Sequence, residues 1–335
     1  MGETAAASTL QLPWRQFRRE LPVTLLLAFP GVAIAAAVVA CGAHWIFGWS
    51  WMGAALFGTL IAATDPVSVI AAFKELKAPP RLSLVVEAES LLNDGTAAVG
   101  FAILVALAGG SAATPLHIAG MLLWTVIGGV VIGAGVAGAL LLIAGRTDDH
   151  LVEITLTTIA AYGSFLLADR LDMSGVLASL TAGLMMGCLG WRGAISEEGR
   201  GHVTAFWTYA AFLANSIVFI LIGGNEAHLP LRVFGGAALV AALLVLAGRA
   251  LAVYPLAALF GRTRLRLSLA YQHILFWGGL RGALALALAL AVPDSVPERA
   301  EIVVVAFAVV AFSIFGQGLT MPWLIKRLRL DTSDS

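Results

Sequence analysis

The sequence predicts an all-α polytopic membrane protein of about ten transmembrane helices, because long apolar stretches alternate with short polar connectors. Hydrophobic residues make up 60% of the 335 residues and charged residues only 12%, and the mean hydropathy is +0.92. A soluble domain carries about 25% charged residues, so this composition excludes a soluble globular protein. The net charge is zero, which gives no support for a nucleic-acid partner.

Ten apolar stretches approach or exceed the length of a spanning helix, which needs about 20 residues. They cover residues 22–47, 51–73, 83–108, 116–144, 151–168, 174–190, 203–224, 232–260, 268–292 and 300–325. We expect a cytoplasmic N-terminal segment over residues 1–21, a transmembrane domain over 22–326 and a cytoplasmic tail over 327–335.

Lysine and arginine are distributed unevenly between the connectors on the two sides of the membrane. The set of connectors that includes both termini holds 15 basic residues, whereas the opposite set holds 3. Cytoplasmic connectors are the ones enriched in lysine and arginine. We therefore expect both termini to be cytoplasmic, as an even number of spans requires.

Six ionisable residues fall within the predicted spans, where a charge is costly and usually marks an ion path or an ion pair. They are Asp65, Glu87, Glu89, Asp94, Arg249 and Arg281. At about 1.5 Å of rise per residue, Asp65 and Asp94 fall close to the bilayer midplane. Two arginines cannot neutralise four acids, so Asp94 is expected to lack a counter-charge and to hold its proton more tightly than in water.

Glu89 is predicted to lie in the cytoplasmic half of its span, at a depth that Arg249 can reach. We expect these two residues to form a structural ion pair. Glu89 and Asn93 share one helix face, and Ser90 and Asp94 share the adjacent face, because residues four apart are neighbours on a helix.

Two of the predicted spans carry helix-breaking residues near their middle. In ATDPVSVI, Pro66 directly follows Asp65, and proline removes a backbone donor and clashes with the preceding turn. In FWGGLRGALA, three glycines surround Arg281. The alternative for this second motif is a glycine packing face around a satisfied arginine.

A pair of interrupted helices, one early and one late, predicts a transporter with inverted repeats and a site near the midplane. Non-helical backbone at this depth survives only where it lines a cavity or is buried in protein. Carbonyls freed near Thr64, together with the Asp65 carboxylate, would be available to a cation. Arg281 would offset the partial charges of the carbonyl ends.

The motifs ATDPVSVIAAFKEL, EAESLLNDGTAAV and FWGGLRGALALAL, in this order, resemble the monovalent cation:proton antiporter-1 family of sodium/hydrogen exchangers, on its bacterial side. The resemblance covers nearly the whole chain. It implies a sodium/proton-antiporter-like fold with inverted repeats and two crossed discontinuous helices. It also implies an ion-binding core over 22–108 and 232–326, scaffold helices over 116–224, and a bacterial inner-membrane location.

The resemblance implies that Asp94 is the carboxylate shared by the cation and the proton, with Asn93 as its neighbour. Asp65, Thr64 and Ser90 are implied as further parts of the site, so that Asp94, Asp65, Ser90 and Thr64 would hold the transported cation. An Asn before the Asp is associated in the wider superfamily with electroneutral exchange of one cation for one proton.

The implied function is secondary active exchange of Na⁺, or of K⁺ or Li⁺, for H⁺ by alternating access in the lipid bilayer. An enzyme activity and a cofactor are not expected. Family members usually have twelve or thirteen spans, so this chain would lack N-terminal helices that contribute to the dimer interface. A homodimer is implied where those helices are present.

Two other classes of protein remain open from the sequence. In the first alternative, a chain without those helices is a non-transporting membrane scaffold. An intramembrane aspartyl protease would use Asp65 and Asp94 as a dyad that shares a proton, but their TDP and LLND contexts lack the GxGD-type motif of such enzymes.

Two interpretations remain open for each of several polar residues. Glu87 faces either a cytoplasmic funnel or water, and His273 is either a pH sensor or an interfacial histidine. Asn215 and Ser216 either line the ion path or join helices by hydrogen bonds. Cys41 and Cys188 form no metal or redox motif and are expected to be small buried residues.

Overall fold

The computed structural model describes residues 14–110, 114–144, 149–187, 195–226 and 231–330, and every regular element within these ranges is helical. The all-α class predicted from the sequence is therefore confirmed for this part of the chain. In chain order the α-helices are α1 (Trp14–Ala28), α2 (Pro30–Phe47), α3 (Trp51–Leu60), α4 (Val67–Glu75), α5 (Pro80–Ala108), α6 (Pro115–Ala144), α7 (His150–Asp169), α8 (Gly175–Met185), α9 (Glu197–Glu226), α10 (Leu231–Leu259), α11 (Leu269–Trp277), α12 (Ala283–Leu290), α13 (Arg299–Phe312) and α14 (Leu319–Arg327).

Six helical segments among the described residues are long and apolar enough to cross a membrane. They are Gln16–Phe47, Pro80–Ala108, Ala119–Ile143, His150–Asp169, Gly236–Leu259 and Arg299–Arg327. The predicted spans 51–73 and 268–292 are each divided into two short helices, and the predicted span 203–224 lies within α9. The predicted span 174–190 begins as α8, and its residues 188–190 lie outside the described ranges.

The chain forms two compact units. One unit is built from residues 16–111 and 221–335, and it contains the two divided helices. The other consists mainly of residues 112–220, which include α6, α7 and α8.

The first helix begins earlier than the apolar stretch that starts at residue 22, because α1 already includes Trp14–Leu21. Phe17 and Glu20 are both buried in this added part. Two hydrogen bonds of 2.9 Å from the Arg81 guanidinium to the Glu20 carboxylate neutralise the buried acid. The hydropathy of a local stretch gives no sign of this pairing, because the two partners are 61 residues apart in the sequence.

Glycines on α6 allow the backbones of α6 and α8 to approach closely within the smaller unit. A Cβ atom added at Gly133 would lie 2.2 Å from the carbonyl oxygen of Ala178, and one at Gly129 would lie 2.7 Å from that of Ser174. Small residues serve this purpose in membrane helices, where packing replaces the hydrophobic effect as the main attraction between helices.

The two helices predicted to be discontinuous are interrupted at the expected motifs, which confirms this part of the fold. Between α3 and α4, residues 61–66 leave the helix, and between α11 and α12, residues 278–282 do so. The two interruptions meet, because the backbone N–H of Asp65 donates to the carbonyl of Leu280 at 2.8 Å.

The last predicted span, 300–325, contains an irregularity that the sequence interpretation missed. A π-helical turn over Ser313–Gly318 separates α13 from α14. Ser313 and Gln317 are the buried residues of this turn.

The close approach of α6 and α8 predicts that Gly133→Ala destabilises the protein by about 1–3 kcal/mol, because overpacking forces the backbones apart. Gly135→Ala on the same helix is the matched control, since nothing lies within 4 Å of its added Cβ. Thermal unfolding of the detergent-purified protein should show a lower midpoint for the first variant and an equal or higher midpoint for the second. Equal midpoints for both variants would contradict this packing.

Candidate ion-binding site

Arg281 holds the end of α3 at the crossing of the two interrupted helices. It is 2% exposed, and its Nη1 donates to the carbonyl oxygens of Ala62 at 2.9 Å and Ala63 at 3.0 Å. These carbonyls follow the C-terminal end of α3, where the helix dipole is negative. The guanidinium therefore satisfies backbone groups that the interruption has freed.

Gly282 permits the closest approach at the crossing. A Cβ atom at this position would lie 2.3 Å from both the Cβ and the Oδ2 atoms of Asp65. Any larger residue would therefore push Asp65 away from the second interruption.

Asn93 on α5 binds the unwound backbone at Thr64. Its Oδ1 accepts from the Thr64 N–H at 3.2 Å, and its Nδ2 donates to Thr64 Oγ1 at 2.6 Å and to Glu89 Oε1 at 2.9 Å. The hydroxyl of Ser90 donates to the Thr64 carbonyl. Both polar groups of the Thr64 backbone are thus paired with side chains of α5.

The charge of Glu89 is matched by Arg249. The Arg249 guanidinium donates to both carboxylate oxygens of Glu89 at 2.9 Å and also to the carbonyl of Leu275 at 3.0 and 3.2 Å. Glu89 is 1% exposed and Arg249 is 6% exposed. In this bidentate ion pair, the carboxylate of Glu89 neutralises the charge of Arg249.

Asp94 has no hydrogen bond or ion pair among the residues that the structure describes, and it is half-buried. The charges that act on it are those of Asp65, Glu89 and Arg281. Among the described residues, the Asp65 Oδ1 atom accepts only from the N–H of Val67, at 3.1 Å. The crossing therefore brings together two carboxylates whose oxygens retain free lone pairs.

The atoms that could hold a cation here are all oxygens. The carboxylates of Asp65 and Asp94 carry the charge, and the hydroxyls of Thr64 and Ser90 keep lone pairs while they donate or accept. Oxygen ligands suit hard cations. Asn93 differs from these residues, because its amide is already engaged with Thr64 and Glu89.

The structure gives the surroundings of several polar residues for which the sequence left two interpretations open. Glu87 is half-buried and forms no hydrogen bond or ion pair within the described ranges, whereas His273 is exposed and its Nδ1 lies 2.8 Å from the hydroxyl of Tyr254. Ser216 donates to Phe212 in its own helix at 2.8 Å. Cys41 is half-buried, and Cys188 and the side chain of Asn215 lie outside the described residues.

Sequence reasoning missed two side chains that contact the second interruption, Ser313 and Gln317. The N–H of Arg281 donates to Ser313 Oγ at 3.0 Å, and Gln317 Nε2 donates to the carbonyl of Trp277 at 2.9 Å. The available signal was a pair of polar residues four apart in the stretch SIFGQG, within an otherwise apolar span.

The pairing of Glu89 with Arg249 predicts a non-additive effect on stability. Glu89→Leu leaves a buried guanidinium without its counter-charge and should cost about 3–5 kcal/mol, whereas replacing both partners by apolar residues is often nearly neutral. The double variant Glu89→Leu/Arg249→Met should therefore unfold at a higher temperature in detergent than the single variant. A double variant that is less stable than either single variant would refute the pairing as described.

A family model described as sodium/hydrogen exchanger, transmembrane, matches residues 7–327. The chain is 37% identical over 321 residues to the Na⁺/H⁺ antiporter ApNhaP of Aphanothece halophytica, which covers 95% of this chain and 61% of that protein. It is 36% identical to the Na⁺/H⁺ antiporter NhaG of Bacillus atrophaeus, with 100% and 63% covered. The chain thus spans about three fifths of the length of these two relatives.

The fold is also similar to a solved structure, that of the sodium proton antiporter MjNhaP1 from Methanocaldococcus jannaschii at pH 8. The TM-score is 0.84 at 20% sequence identity, with 98% of this chain and 83% of that chain covered. This likeness shows the fold, and the family match and the identities to bacterial antiporters show the relationship. The chain belongs to the sodium/hydrogen exchanger family.

Proposed function

We propose that this chain is a secondary active transporter that exchanges a monovalent cation, Na⁺ first among them, for H⁺, with Asp94 as the carboxylate that both ions share. The observation that carries the proposal is the half-buried Asp94 without a hydrogen bond or ion pair among the described residues, beside the crossing that presents Asp65. Two bacterial relatives are Na⁺/H⁺ antiporters, which supports the same class of transport reaction for this chain.

The coupling follows from competition for one carboxylate. When a proton occupies Asp94, the site has lost the charge that attracts the cation, and when the cation is bound, protonation is opposed. In this proposal Asp65, Thr64 and Ser90 complete the ligand set. Asn93 positions Thr64, because its amide binds both the N–H and the hydroxyl of that residue.

The remaining charges near the site have structural roles in this proposal. Glu89 and Arg249 neutralise each other through two hydrogen bonds, so neither competes for the transported ion. Arg281 offsets the negative end of α3 through the carbonyls of Ala62 and Ala63.

Transport itself would proceed by alternating access. The compact unit formed by residues 16–111 and 221–335 carries every proposed ligand and would act as the ion-binding unit, with the helices of residues 116–224 as the scaffold. A bacterial inner-membrane location, cytoplasmic termini, a homodimer and a capacity for K⁺ or Li⁺ belong to the same proposal.

The proposal predicts that Asp94→Asn abolishes Na⁺-driven proton flux in proteoliposomes, because the amide can neither carry the negative charge nor exchange the proton. Asp294→Asn is the matched control, since the Asp294 side chain is 94% exposed and forms an ion pair with Arg299 at 3.2 Å. Equal amounts of each protein in the vesicles would establish insertion.

Two outcomes would contradict this assignment. Normal flux in the Asp94→Asn variant would remove Asp94 from the reaction. Absence of flux in the unaltered chain, at normal insertion, would favour the non-transporting scaffold.

The Asn93–Asp94 pair further predicts electroneutral exchange. A K⁺ diffusion potential imposed with valinomycin should leave the rate of Na⁺/H⁺ exchange unchanged, because no net charge crosses the membrane when one cation replaces one proton. A rate that rises or falls steeply with the imposed potential would show that unequal numbers of charges are exchanged.

A further inference from the structure

The second interruption frees backbone polar groups in the middle of the predicted span 268–292. Freed carbonyl and N–H groups there must find partners within the protein. Leu280 is satisfied by the first interruption, since its carbonyl accepts from the Asp65 N–H at 2.8 Å. The Trp277 carbonyl and the Arg281 N–H instead form hydrogen bonds with side chains of the π-helical turn Ser313–Gly318.

Ser313 binds the interruption at Arg281. Its Oγ accepts from the Arg281 N–H at 3.0 Å, and the hydroxyl proton is shared between the carbonyls of Val310 at 2.8 Å and Arg281 at 3.2 Å. The side chain thus contacts both polar groups of the Arg281 backbone.

Gln317 binds the other end of the interruption. Its Nε2 donates at 2.9 Å to the carbonyl of Trp277, which is the last residue of α11. Ser313 and Gln317 are both buried, and they bracket the unwound segment on its two sides.

The π-helical turn is itself informative. Such turns are rare and are found frequently at functional sites. Here the irregular turn places its two buried polar side chains, Ser313 and Gln317, against the second interruption.

The backbone of Arg281 matters because it carries the guanidinium that binds the carbonyls after α3. The Nε atom is buried and has no hydrogen-bond partner among the described residues, and Nη1 makes the two bonds to Ala62 and Ala63. The position of the positive charge therefore depends strongly on where the backbone is held. That charge acts on Asp94.

We propose that Ser313 and Gln317 are positioning residues for ion exchange, because the π-helical turn holds the second interruption and thereby fixes the Arg281 charge relative to Asp94. This inference rests on the proposed function. A displaced Arg281 alters the field at Asp94, so it changes the balance between cation and proton binding and not merely the amount of folded protein.

The test uses three nearly isosteric substitutions in the full chain. Ser313→Ala removes the two hydrogen bonds between the hydroxyl and the Arg281 backbone, and Gln317→Met removes the one to the carbonyl of Trp277. Thr181→Val is the matched control, because Thr181 Oγ1 donates to the carbonyl of Leu177 at 2.8 Å within α8, so this variant also removes a hydrogen bond from a side chain to the backbone of its own helix.

Two measurements read out the effect. In proteoliposomes, Ser313→Ala and Gln317→Met should change the Na⁺ concentration for half-maximal exchange by about fivefold, the size expected for one hydrogen bond, and should shift the pH profile of the rate. In hydrogen–deuterium exchange, the peptide covering residues 278–285 should exchange about tenfold faster in both variants. Thr181→Val should leave both readouts unchanged.

Unchanged half-saturation and pH profile in both variants, with the unaltered chain active, would overturn the inference while leaving the proposed function intact. A loss of maximal rate alone would overturn it as well, because it indicates fewer folded molecules. Inactivity of the unaltered chain would refute the proposed function and, with it, any role of these residues in exchange. Unchanged deuterium exchange in residues 278–285 would independently refute the inference that Ser313 and Gln317 hold the second interruption in place.

Discussion

Water is absent from the hydrocarbon core of a membrane, so the crossing of two unwound segments has to satisfy its own backbone groups. An unsatisfied N–H or carbonyl there costs several kcal/mol. The described residues meet this constraint with side chains from several elements: Asn93 and Ser90 on α5, Arg249 on α10, Arg281 in the second interruption, and Ser313 and Gln317 on the π-helical turn. The crossing exists because these partners are in place.

The same constraint determines which charge is left over. Arg249 is bound by Glu89 and Leu275, and Arg281 is bound to the carbonyls that end α3. Neither cation is paired with Asp94. An ionisable residue inside a span without an ion-pair partner is a candidate for a functional site, and this is the basis of the role proposed for Asp94.

Much of this arrangement can be predicted from local sequence. The interruptions are predicted by Pro66 beside Asp65 and by the glycines around Arg281, because proline and glycine affect the backbone within their own turn. The ionisable residues are visible because a charge is rare in an apolar span. The resemblance to cation:proton antiporters adds the roles proposed for Asn93 and Ser90.

Other features depend on contacts between residues that are distant in the sequence. Thr64 is held by Asn93 across 29 residues, and Arg281 by Ser313 across 32; the register of the packed helices decides both. The burial of Glu20 likewise follows from Arg81, which lies 61 residues further along the chain. No local window contains these pairs, and a serine or glutamine in an apolar span has many explanations.

Whether Asp94 is shared by the cation and the proton is tested most directly by proton release on Na⁺ binding. Na⁺ added to the purified protein in weakly buffered detergent, at a pH where Asp94 is protonated, should release about one proton per bound cation, since the two ligands are linked through one group. The Asp94→Asn variant should release none. Na⁺ binding without proton release in the unaltered protein, or equal release in the variant, would contradict a shared carboxylate at Asp94.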